Sequence, residues 1–257
     1  MNYLNDISYK DCVGKVCKSK SSGDFKILKY NGTANVEIQF LNTGFKTVVR
    51  LVNIKSGGVK DPHLPSVFGV GLLGTKYPSE VNGVKTKEYV LWADMLRRCY
   101  SESFKKQHPT YKYCKCSENF KSYEYFYDWC NKQIGFGVEG FELDKDLLVK
   151  GDKVYSEDSC IFIPTEINTL LTKRTASRGK HLIGVYWCNK GKAFRAQVSK
   201  NKGKRERLGY FKTELEAFNA YKQAKEAFIK EQANKWKSQI DPRAYNALMK
   251  YEVNIDD

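Results

Sequence analysis

Along the first sixty residues, apolar and polar side chains alternate with a period of two. In GDFKILKY (23–30) Phe25 and Ile27 sit between polar neighbours, and in NVEIQFL (35–41) Val36, Ile38 and Phe40 repeat the pattern. Such alternation predicts half-buried β-strands. NGTAN between them is a turn signal, and NTG at 42–44 introduces a third expected strand, FKTVVRLVNI (45–54). Several short strands in so little chain predict a small barrel-like or curled sheet. The Gly- and Pro-rich KSGGVKDPHLPSVFGVGLLGTKYPSEVNG (55–83) is expected to be a linker that packs in part on its neighbours.

The period then becomes helical. EYVLWADMLRRCY (88–100) spaces Val90, Leu91, Met95, Leu96 and Cys99 along one face, and SYEYFYDWCNKQIG (122–135) does so with Tyr123, Phe126, Tyr127 and Cys130 before Gly135. FELDKDLL (141–148), a turn through KGDKVYSEDS (150–159), CIFI (160–163) and a helix begun at Pro164 predict a β-β-α unit. TKRTASRGK (172–180) is a basic connector. Beyond it GVYWCN, AFRAQVS and RERLGYF are three short strands, and residues 213–236 form a long helix. Thr213 and Glu216 make a capping box there, with Ala217, Tyr221, Ala224 and Phe228 on one face. The expected architecture is α+β in three parts: a small N-terminal β domain (1–74), a central ββα unit with flanking helices (75–174), and a C-terminal three-stranded sheet plus one helix (175–257).

Charge sharpens this picture. The 257 residues carry 44 Lys+Arg against 29 Asp+Glu, a net +15, which suits a polyanionic partner. No apolar run approaches the roughly 20 residues that a membrane span needs, and the opening MNYLNDISYKDC has no apolar signal core, so the expected location is the cytoplasm. Eight cysteines are then expected as reduced thiols. A zinc site drawn from Cys99, Cys114, Cys116 or Cys160 is the weaker reading, since Cys114 and Cys116 form the one close pair.

The charge is also concentrated. Residues 173–210 hold twelve basic side chains and one acid, Glu206. If Phe194, Ala196 and Val198 face the helix, then Arg195, Gln197 and Ser199 face outward, and Leu208 pointing inward turns Arg205 and Arg207 outward. Arg matches guanine bidentately and Gln matches adenine, so such a face has the chemistry to read a major groove. Tyr186, Lys192 and Lys204 extend the expected DNA-binding set. GVYW, KAFRAQV and RLGYFKTELEAFNAY resemble the DNA-binding domain of APETALA2-type transcription factors, which also occurs in phage and bacterial nucleases. The resemblance covers about 55 residues, and it implies sheet-borne binding of double-stranded DNA. The plant domains carry further arginines in their first strand, where YWCNK stands here, so the sequence preference stays open.

LWADMLRRCY, PTYKYCKCSENF, FYDWC, LDKDLL and YSEDSCIFIPTEIN resemble the His-Asn-His (ββα-metal) endonucleases that phages encode. The resemblance implies a Mg²⁺- or Mn²⁺-dependent centre with Asp144 as the strand acid and Asn168 as the helix ligand of the metal. Ser159 falls where the loop asparagine belongs, and Lys145 falls on the general-base histidine. Relatives with LDRID in that place carry a basic residue there too. A lysine with an ordinary pKa near 10.4 is a poor base at neutral pH, and Asp144 and Asp146 beside it hold the pKa up. As a cation on phosphate or on the leaving oxygen it is reasonable chemistry. The base then falls to Asp146, to water activated by the ion, or to His108 or His181 reaching in from elsewhere.

The leading expectation is a phage-type, metal-dependent DNA endonuclease of homing-like organisation. The alternative is a DNA-binding regulator or host-takeover factor whose chemistry is lost. An inhibitor of a bacterial defence protein is the third reading. The N-terminal domain is open between a grip on DNA backbone through Lys26, Lys29, Lys46 and Arg50 and self-association. A homodimer or a host protein is left open as a further partner.

Overall fold

The computed structural model describes residues 11–172, 180–200 and 204–255, and the expected connector lies outside them from 173 to 179. The chain mixes helices and strands and divides into two compact units. One is Met1–Lys112 with Glu118–Tyr127, and the other is Tyr113–Ser117 with Asp128–Asp257. No described helix is long and apolar enough to cross a membrane.

In the first unit β1 (Val16–Lys18), β2 (Asp24–Tyr30), β3 (Val36–Phe40) and β4 (Lys46–Val49) form an antiparallel meander in sequence order. Phe25, Ile27, Val36, Ile38 and Phe40 are fully buried on one face, as the alternation requires. One expectation changes here. The segment read as the end of a third strand turns into α1 (Leu51–Lys55), whose Leu51 and Ile54 pack into the sheet core, and the four strands form a sheet in the order β1-β2-β3-β4. The expected linker packs on its neighbours, in keeping with the expectation. The Thr75 and Lys76 amides each donate to Glu124 Oε1 at 2.6 Å, and Tyr77 stacks on Tyr127 at 3.8 Å. It ends in a short hairpin, β5 (Glu80–Val81) and β6 (Val84–Lys85). Next come α2 (Lys87–Tyr100), α3 (Glu102–Gln107) and the start of α4 (Tyr123–Cys130), around a core of Trp92, Phe120, Tyr123 and Phe126. The Trp92 indole N–H donates to the Phe120 carbonyl at 2.8 Å.

The second unit contains both regions with expected chemistry. Strand β7 (Lys115–Cys116) pairs in parallel with β9 (Val154–Tyr155), while β8 (Phe141–Asp144) pairs antiparallel with β10 (Ile161–Pro164), which leads into α5 (Thr165–Leu171). Pro164 is the N-cap of α5 rather than its first residue. Strands β11 (Val185–Cys188), β12 (Ala193–Ser199) and β13 (Arg205–Phe211) form a sheet in that order, followed by α6 (Glu214–Trp236) and α7 (Pro242–Met249). The capping box at Thr213 and Glu216 is formed.

One helix serves two cores. Near its start α6 buries Ala217, Phe218 and Tyr221 beneath the three-stranded sheet. Near its end it buries Phe228, Ile229 and Ala233 with Ile161 and Ile163 of β10, Ile167 of α5 and Leu248 of α7. Tyr251 packs against both clusters. Between them Lys225 donates to the Leu170 carbonyl at the end of α5, 2.7 Å away, and burial pushes its ammonium down to about 8.

Candidate nucleic-acid interface and hairpin centre

The β11–β13 sheet has one face on α6 and one that no described element covers. Register places Tyr186, Arg195 and Tyr210 in one cross-strand row and Gln197 opposite Arg207 in the next. The row Ser199–Arg205 follows. Strict alternation from Leu208 would turn Tyr210 toward the helix. Instead the register shifts beside Ala196, where β13 carries an extra residue, and Gly209 takes φ +139°. A glycine inside a strand is the usual mark of such a bulge. It brings Arg207 and Tyr210 onto the same face; Tyr210 was missed in the sequence, and Gly209 is the signal that could have found it. Sheet and helix meet closely at Gly184 (φ +76°), where any Cβ would lie about 2.1 Å from the Tyr221 ring.

This face is basic and aromatic. The Arg195 guanidinium lies over the Tyr186 ring at 5.4 Å and that of Arg207 over Tyr210 at 5.9 Å, distances at which cation–π attraction holds both planes. Tyr186 and Tyr210 are about half exposed. Arg195 Nε is buried with no hydrogen-bond partner among the described residues. Glu206, opposite Val198 on the helix side, pairs with Lys200 at 2.5 Å. The region's single acid is therefore turned away and neutralised. Lys192 (φ +46°) and Lys204 are exposed at the ends of the β11–β12 and β12–β13 connections.

The β8/β10 hairpin with α5 forms the expected ββα unit. Alternation puts Glu142 and Asp144 on one side of β8, about 7 Å apart, together with Ile163 and Ile161 opposite them. Ile161 and Ile163 pack with Ile167 of α5, so this side faces the helix. Asp144 Oδ1 accepts from the amides of Asp146 (3.1 Å) and Leu147 (2.8 Å). Burial raises its carboxyl above the ordinary range, opposed by those two amides and reinforced by the charge of Asp146. Asn168 Nδ2 donates to Glu142 Oε2 at 2.7 Å, and Thr165 Oγ1 donates to Glu142 Oε1 at 3.1 Å. Glu142, two residues before Asp144 and visible to the same period-two argument, was missed in the sequence. It is the group that holds Asn168.

Lys145, expected in the position of the general-base histidine, turns inward. Lys145 is 5% exposed and donates to Asp146 Oδ1 (2.5 Å) and to the Asp152 carbonyl (2.6 Å), 5.6 Å from the Tyr155 ring. Its charge fastens the 146–152 turn, and in this conformation it is not presented to a phosphate. Ser159, 1% exposed, donates to the Val154 carbonyl at 2.6 Å and accepts from the Ser156 amide at 3.1 Å, so it organises the loop before β10. His108 lies beside Phe104 in the first unit, and His181 contacts Glu214 Oε1 at 3.3 Å. Burial pushes the Cys160 thiol up to about 12, and every cysteine is free of disulfides.

Among the described residues no three His, Cys, Asp or Glu side chains converge as a metal group. Asp144 and Asn168 supply oxygen donors of the hard type that Mg²⁺ takes beside several waters, so the donor chemistry fits that ion. Comparison with protein-family models, curated proteins and solved structures returns no match.

Proposed function

We propose that the protein binds double-stranded DNA through the uncovered face of the β11–β13 sheet. The observation that carries this reading is the paired ladder Tyr186–Arg195 and Tyr210–Arg207, with Gln197 between and Glu206, the one acid of residues 173–210, facing away. Lys192 and Lys204 supply phosphate contacts, releasing counterions and giving steep salt dependence. Arg195, Arg207 and Gln197 offer bidentate donors and acceptors to base edges, and Arg205 extends that row. Both tyrosine rings lie beneath guanidinium planes, so they position arginines instead of presenting bare stacking platforms for unpaired bases. Duplex is therefore the favoured substrate. Replacing Arg195 and Arg207 with alanine, read by fluorescence anisotropy on duplex DNA, should weaken binding by about 1–3 kcal/mol each. Equal affinity in both variants would remove the assignment.

A second reading is metal-dependent hydrolysis of the bound DNA, favoured by the placement of Asp144, Glu142 and Asn168 on the ββα unit. Mg²⁺ or Mn²⁺ held by Asp144 and Asn168 would stabilise charge on the phosphate and the leaving oxygen. In this reading two backbone amides orient Asp144, Glu142 orients the Asn168 amide, and Asp146, ion-paired to Lys145, takes the proton from water. Plasmid nicking in Mg²⁺ that is lost in Asp144→Ala and in Asn168→Ala is the expected result. Binding without nicking on any DNA would leave a regulator on the same architecture.

A further inference from the structure

The sheet of the first unit also has an uncovered face, opposite its core of Phe25, Ile27, Ile38 and Phe40. Register sets Val16, Lys26, Gln39 and Lys46 in one row across all four strands, and Lys29, Glu37 and Val48 in the next. The extended backbone of Arg50 continues β4, so Lys46, Val48 and Arg50 share this side. Val16 and Val48 are 57% and 54% exposed, so no described residue of the unit covers them.

The charges on this face divide into two sets. Lys18 stands opposite Asp24, and Lys29 stands opposite Glu37, so those cations face a carboxylate across the strand. Lys26 stands between Val16 and Gln39, and Lys46 stands opposite Gln39. Arg50 makes no side-chain bond to the α1 cap that it begins. Two strand spacings separate Lys26 from Lys46, about 10 Å, and four residues separate Lys46 from Arg50, about 13 Å. Long flexible stems on such a grid suit a dense line of phosphates better than a single anionic group. The composition differs from the β11–β13 face in a telling way. Lysine is a point charge without the fork that reads base edges, and neither Tyr nor Arg pairs form a ladder here.

We infer that this face is a second, sequence-independent grip on the phosphate backbone of DNA, made by Lys26, Lys46 and Arg50. The inference rests on the DNA-binding reading of the β11–β13 sheet and adds a contact surface on the other unit. It narrows the basic residues of the N-terminal region to three and sets Lys29 aside.

The test is the salt dependence of binding to a short duplex of arbitrary sequence. It compares the full chain, the triple variant Lys26→Gln/Lys46→Gln/Arg50→Gln, the control Lys29→Gln, and Arg195→Ala/Arg207→Ala. The triple variant should bind more weakly at every salt concentration, and its log–log slope should fall by about 2 to 3. Lys29→Gln should leave the slope close to wild type. A triple variant with unchanged melting temperature and an unchanged slope would overturn the inference while Arg195→Ala/Arg207→Ala still reports on the other sheet. An altered oligomeric state with an unchanged slope would also overturn it, in favour of self-association. If the wild-type chain shows no salt-dependent DNA binding, both readings fall together.

Discussion

The β11–β13 face and the β8/β10 hairpin stand on the same helix and use their charges in opposite ways. On the sheet, Arg195 and Arg207 are held outward by tyrosine rings and the nearby acid is turned away. At the hairpin the cation is inside, with Lys145 fastening a turn, and the carboxylates Glu142 and Asp144 line the helix side. A basic residue thus carries different information according to whether its ammonium or guanidinium has already found partners. Twelve cations in one stretch predict polyanion binding only where the fold leaves them unspent, and the sheet does so more clearly than the hairpin.

The largest effect should come from the helix that both regions share. Phe228 is buried in the hairpin core, with the Lys200 ammonium of the β12–β13 hairpin 5.6 Å from its ring. Phe228→Ala should cost about 3–5 kcal/mol in urea unfolding. Tryptophan fluorescence and far-ultraviolet dichroism should lose signal in one transition if sheet and hairpin stand or fall together. A sheet that melts separately from the hairpin would break the comparison at its base.

Lys145→Met should be the next largest. It leaves the Asp152 carbonyl without its buried donor, at about 1–3 kcal/mol of stability, and DNA affinity should hardly change. Arg207→Ala should do the reverse, losing affinity while stability stays within about 0.5 kcal/mol, as for an exposed position. A Lys145→Met chain that is fully stable and binds DNA poorly would mean that the lysine does face the phosphate.

The smallest effect is a pH dependence. Burial raises the Asp144 carboxyl above its ordinary value of 3.8. The folded chain therefore keeps that proton to higher pH than the unfolded chain. The stability contributed by this group is fully present below about 3.8 and is lost as pH rises through the folded value. Asp144→Asn keeps an oxygen for the two amides and removes the buried charge. It should melt higher than wild type at neutral pH, with the gap closing as pH falls into the carboxylate range. A gap independent of pH would point to altered packing instead.

Much of this was legible in the sequence for a physical reason. Period-two alternation placed Arg195 and Gln197 outward because an antiparallel sheet with one buried face tolerates no other register. The capping box and the apolar face of α6 were equally local. Three features escaped. Tyr210 joined the outer face through a bulge, which alternation alone cannot anticipate, although Gly209 signals it. The inward turn of Lys145 depends on the Asp152 carbonyl seven residues away, a tertiary contact. The turn of 51–55 into a helix was set by the need to cover Phe25 and Ile38, which overrode a β-branched, strand-like composition.

The most direct measurement is equilibrium binding of wild type and of Arg195→Ala/Arg207→Ala to one duplex over a range of salt concentrations. The account predicts tight, steeply salt-dependent binding by wild type and affinity reduced at least tenfold in the variant, with both chains equally folded. Superimposable curves for two folded proteins would contradict it.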